Sequence, residues 1–111
     1  MAWNAFDEGK TLGTIGSEGG IILRDDEHDL GARISLECDC KIGPYSITCG
    51  IYGWMFHTRF FSSKEEAEAQ FEEMKIGIDG IMGIIPLKSE DSDERMSDVC
   101  TAIGEFVRQF P

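Results

Sequence analysis

Apolar and polar residues alternate strictly over residues 31–40. Ile34, Leu36, Cys38 and Cys40 fall on one face, and Arg33, Ser35, Glu37, Asp39 and Lys41 on the other. A strand patterned this way belongs to an antiparallel sheet with one wet face. Upstream, residues 11–16 and 20–24 read as two short strands joined by the glycine-rich turn 16–20. The acidic run 25–29 then reads as a solvent-facing reversal into the alternating strand. Downstream, Gly43-Pro44 punctuates the chain, and a long fourth strand rich in β-branched and aromatic residues runs from Tyr45 to Phe61. Its phase flips midway. Tyr45, Ile47, Cys49 and Ile51 keep the register of the third strand, whereas Tyr52, Trp54, Phe56 and Phe60 take the opposite parity. Gly50 and Gly53 bracket the flip. A bulge there would return the aromatics to the core; an unbroken ladder would leave them on the wet face.

The period then changes to that of a helix. Ser63 with Glu66 has capping-box spacing, and Ala67, Phe71, Met74, Ile78 and Ile81 or Met82 form one stripe. Gly77, Gly80 and Gly83 either form a smooth ridge for close packing or break the helix near Gly77, and Pro86 ends the segment. Ser92 is placed to cap a second helix, whose apolar stripe is Met96, Val99, Cys100, Ile103, Phe106, Val107 and Phe110. The expected layout is a single α+β domain over residues 1–111, a four-stranded antiparallel meander sheet followed by two helices packed on one face.

Charge narrows the partners. The formal net charge of −11 and pI near 4.4 exclude a polyanionic partner, nucleic acid or anionic membrane, and permit a basic one. No apolar run is long enough to cross a bilayer, and the first residues carry neither the basic nor the apolar region of a signal peptide. The expected location is therefore cytoplasmic, with the four cysteines reduced.

No motif names a reaction. Residues 13–20 resemble a phosphate-cradling loop only in their glycines; a strand follows them instead of a helix, and Glu18 sits in the turn. The acidic run 25–29 lacks the alternation and central glycine of a calcium loop, and is read as a solvated turn. Cys38, Cys40 and Cys49 share one sheet face in the expected register, among aliphatic neighbours that favour packing over metal or redox chemistry. His57 and Arg59 share a parity and offer a site for an anion, without a third residue that would make a catalytic set. The aromatic row Tyr52, Trp54, Phe56 and Phe60 is the candidate interface. The resulting reading is a non-catalytic interaction domain, with neither cofactor nor metal, that pairs with itself or another protein through residues 51–61. The alternative is a protein that binds or acts on a small anionic molecule in a cleft near His57, Arg59 and Tyr52.

Overall fold

The computed structural model describes residues 2–85 and 93–111. Five antiparallel strands lie in chain order: β1 (Trp3–Ala5), β2 (Ile21–His28), β3 (Ala32–Cys38), β4 (Tyr45–Ile51) and β5 (Met55–Phe61). Two helices follow, α1 (Lys64–Met82) and α2 (Asp93–Gln109). The two-layer α+β layout holds, with five strands where four were expected. Pro86, Ser92 and most of the polar run 88–93 lie outside the described residues.

The alternating strand is β3, and its apolar set forms the centre of the core. Ala32, Ile34 and Leu36 pair across to Ile51, Cys49 and Ile47 of β4, and all six are buried. Against them α1 lays Ala67, Phe71, Met74, Ile78, Ile81 and Met82, and α2 adds Val99, Phe106 and Phe110. The Ser63 hydroxyl accepts from the Glu66 backbone N–H, satisfying one of the free donors at the start of α1. α1 runs through Gly77 because that glycine faces α2. A β-carbon there would come within 3.0 Å of the Phe106 ring and 3.4 Å of the Phe110 ring. The ridge alternative is the one realised at Gly77. On α2 the buried stripe is narrower than the sequence suggests, since Cys100, Met96 and Val107 are exposed.

Three expectations need correction. Residues 11–16 do not form a strand; their pairing narrows to one bridge, Ile15 to Ile21, flanked by backbone bonds from Gly13 to Ile22 and from Ile22 to Thr14. The acidic run is no solvated turn but the second half of β2, with reversal at Asp29–Gly31. Its alternate side chains meet α1 one turn apart: Arg24 pairs with Glu72 at 2.6 Å, Asp26 with Lys75 at 2.7 Å, and His28 with Asp79 at 2.7 Å. A strand advances about 6.7 Å in two residues and a helix about 5.4 Å per turn, so the two ladders run nearly in step. Leu23 is the extra residue that brings Arg24 to the helix face, at a register shift between Ile22 and Arg24.

The long fourth strand is a hairpin. Tyr52-Gly53-Trp54 turns the chain between β4 and β5, with Gly53 at φ 83°, a left-handed conformation that favours glycine. The turn keeps the parity: Ile51 pairs with Met55 and Gly50 with Phe56, so odd positions stay on the core side and the even ones, Phe56 and Phe60, lie on the other face. No bulge intervenes, and Phe56 and Phe60 take the wet face, as the alternative without a bulge expects.

Candidate functional site on the second sheet face

The face turned away from the helices carries Asp25 and Glu27 from β2, Arg33, Ser35 and Glu37 from β3, Ser46, Thr48 and Gly50 from β4, and Phe56, Thr58 and Phe60 from β5. Part of it is covered by a strap, residues 6–20. The strap begins in a tight turn over Phe6–Gly9, where Asp7 and Glu8 take left-handed backbone at φ 48° and 56°. Three of its contacts reach side chains of the sheet face. The Phe6 ring lies 3.6 Å from the guanidinium carbon of Arg33. The Thr11 hydroxyl donates to Asp25 Oδ2 at 2.8 Å. Backbone N–H groups of Glu18 and Gly20 donate to Glu37 Oε1 at 3.2 and 3.0 Å.

The last contact explains the glycine-rich turn. Its amides do converge on an anion, but the anion is the chain's own Glu37 carboxylate, only 1% exposed. Beside it, Asp25 is 3% exposed and takes both arms of Arg33, Nε to Oδ1 at 2.9 Å and Nη2 to Oδ2 at 2.6 Å. Asp25 holds Arg33 above its ordinary pKa, so the guanidinium keeps its charge throughout the accessible range.

Between strap and sheet lies a cleft of about 360 Å³. Its floor includes Arg33, Ser35, Thr48 and Gly50, and Thr11, Thr14 and Ser17 line the strap side. Tyr52 and Phe56 stand at its edge. The Tyr52 hydroxyl donates to Glu27 Oε2 at 3.1 Å. Partial burial and that carboxylate together hold the phenol above its ordinary pKa, so it stays protonated.

Of the sequence candidates, Tyr52, Phe56 and Phe60 are exposed, with Phe56 at 85% and Phe60 on the same face of the same strand. Trp54 is separated from them: it closes the hairpin and packs partly buried against the core. His57 and Arg59 lie on the opposite, helix-side face, and the structure does not bring them together with Tyr52. The residues that follow α2 occupy both. His57 Nε2 donates to the Phe110 carbonyl, and Arg59 donates to the Pro111 backbone oxygen at 3.0 Å and to Gln70 Oε1 at 2.8 Å.

The expected cysteine face keeps Cys38 and Cys49 but loses Cys40. Asp39 takes left-handed backbone at φ 54°, which ends β3 and swings Cys40 to the second face beside the Ser46 hydroxyl, 3.2 Å away. Cys49 stays in the core, and burial pushes its thiol up to about 12. At neutral pH a maleimide should therefore label exposed Cys100 quickly and Cys49 only on unfolding, since the thiolate is the reacting form. Equal rates at the two positions in peptide mass spectra of the native protein would contradict that assignment. His28 has both ring nitrogens engaged, Nδ1 accepting from the Leu30 amide at 3.1 Å and Nε2 facing Asp79. Among the described residues no group of three or more His, Cys, Asp or Glu is placed to hold a metal ion, and no helix is long and apolar enough to cross a membrane.

Sequence reasoning missed the strap, Glu37 and Asp25. Charged residues on a wet strand face read as solvated, and their partners sit in a loop with no periodicity to announce it. Comparison of the chain with protein-family models, curated proteins and solved structures finds no match.

Proposed function

We propose that this protein is a non-catalytic interaction domain that self-associates through β5. The observation that carries the reading is Phe56, 85% exposed on the last strand of the sheet. Edge strands are normally guarded by lysine, proline or a bulge, because their free N–H and C=O groups recruit other strands. β5 has seven residues with no lysine, proline or bulge, and its one charge, Arg59, points to the helix side and is engaged by Gln70 and Pro111. Its outward face offers Phe56, Thr58 and Phe60 without a charge. A two-fold axis through the middle of β5 sets this segment against its own copy, antiparallel, with phenylalanines meeting phenylalanines. In a chain of net charge −11, a segment free of Asp and Glu is also where two copies approach with least repulsion.

The test is solution mass by sedimentation across a concentration series. The parent should be dimeric at micromolar concentration, and Phe56→Asp should be a monomer with unchanged circular dichroism, since a carboxylate at a symmetric contact meets its own copy. A monomeric parent defeats the proposal. Trp54 is unsuited to this test because its ring supports the core.

A further inference from the structure

The cleft between strap and sheet is a different feature from the β5 edge, and its chemistry points to a ligand. We infer that it binds a small uncharged sugar, one pyranose ring, held by the hydroxyls of Ser35 and Thr48 and stacked against Phe56.

The size comes first. About 360 Å³ is near the lower end of small-molecule sites, enough for one ring and too little for a peptide or an oligomer. Charge comes next. The one cation lining the cleft, Arg33, has Nε and Nη2 committed to Asp25, with the Phe6 ring over its guanidinium. Glu27 and Glu37 border the same face, so an anion would meet a net negative wall. Among the described residues, each carboxylate bordering the cleft already holds a partner. Asp25 is taken by Arg33 and Thr11, Glu27 by Tyr52, and Glu37 by the turn amides. The ligand is therefore neutral.

Its polarity follows from the floor. Ser35 and Thr48 are directly opposed on β3 and β4; the Ser35 hydroxyl has no partner among the described residues, and the Thr48 hydroxyl shares one hydrogen bond with Thr58 at 3.3 Å and keeps further capacity for a ligand. Thr11, Thr14 and Ser17 add hydroxyls from the strap. Hydroxyls both donate and accept, which suits a ligand made of hydroxyls; a purely apolar ligand would strip these groups of water and return nothing. At the edge, Gly50 leaves the sheet bare beneath the Phe56 ring, whose carbons lie 3.3 Å from where a β-carbon would stand. Phe56, 85% exposed, lines this end of the cleft and offers it apolar ring surface suited to the C–H groups of a sugar.

Amide NMR titration of the full chain with glucose, galactose, glucuronate and adenosine, each separately, tests this. At least one neutral sugar should give saturable shifts confined to residues 14–17, 33–35, 48–50 and 56, and glucuronate should bind more weakly. Ser35→Ala and Thr48→Val, each checked for an unchanged fold by circular dichroism and melting temperature, should weaken binding about threefold to tenfold, the loss expected for one hydrogen bond. Phe60→Asp, outside the cleft, should leave sugar binding unchanged whether or not it alters solution mass, which separates this inference from the proposed self-association. Absence of a saturable shift with either neutral sugar overturns the inference. So does tighter binding of glucuronate or adenosine, or unaltered affinity in both hydroxyl variants.

Discussion

Phe71→Ala is expected to lower the free energy of unfolding by about 3–5 kcal/mol, the range for emptying a fully buried aromatic site. Phe71 is completely buried and stands midway along α1, facing the paired strands β3 and β4. Its ring also supports charge. The Arg24 guanidinium sits 4.3 Å from the ring centroid and the Lys75 ammonium 5.6 Å from it, and these two residues form two of the pairs that join β2 to α1. Removing the ring opens a cavity and loosens that seam together. Against a total stability of about 5–15 kcal/mol for a domain, the loss is large. Urea unfolding should show a lower midpoint with an unchanged slope. Phe71→Leu, which keeps most of the volume, should cost less than half as much. A loss below about 1 kcal/mol in Phe71→Ala would mean that α1 does not close the core as described.

Arg33→Met should be nearly as damaging, for a different reason. Its aliphatic replacement keeps much of the packing under Phe6 but leaves the Asp25 carboxylate in a buried site with only the Thr11 hydroxyl as partner. Breaking a fully buried pair from one side costs about 3–5 kcal/mol; here Asp25 is fully buried but the Arg33 side chain is 36% exposed, so the cost should lie at the lower end, about 3 kcal/mol. The double variant Asp25→Leu with Arg33→Met should recover most of that loss, since removing both charges removes the penalty along with the attraction. Denaturant melts of the three variants check this. A double variant less stable than Arg33→Met would show that Asp25 matters through its grip on the strap at Thr11 and not through Arg33.

The sequence made the core legible because its signals are local. The alternation of β3 and the stripe of α1, with its Ser63 cap, each specify both an element and its buried face. What escaped depends on contacts across distance. The acidic run looks solvated until Lys75 and Asp79, about fifty residues on, are placed opposite Asp26 and His28. The hairpin at Tyr52-Gly53-Trp54 is hidden because two of its three turn residues are large aromatics, and only Gly53 hints at left-handed backbone. The thiol cluster failed on one residue, Asp39, whose left-handed conformation breaks the alternation carrying Cys40. The parity argument itself survived: Tyr52, Phe56 and Phe60 do reach the face that β3 leaves polar. Only Trp54 was assigned with them in error: it shares the turn with Tyr52 but packs against the core.

The grip of the glycine-rich turn on Glu37 also limits how this chain can vary over time. A β-carbon at position 16 would fall 2.5 Å from the Glu37 carboxyl carbon, and that carboxylate cannot swing aside without releasing the Glu18 and Gly20 amides. At position 20 the obstacle is the Cys38 carbonyl oxygen, 2.4 Å away, which no change of side chain removes. Position 20 is thus closed to substitution outright, whereas position 16 is closed only while residue 37 is a glutamate. Mutational drift at 16 must wait for a shorter residue at 37, and that change in turn leaves two amides needing another acceptor, so the two sites are tied into one evolutionary step.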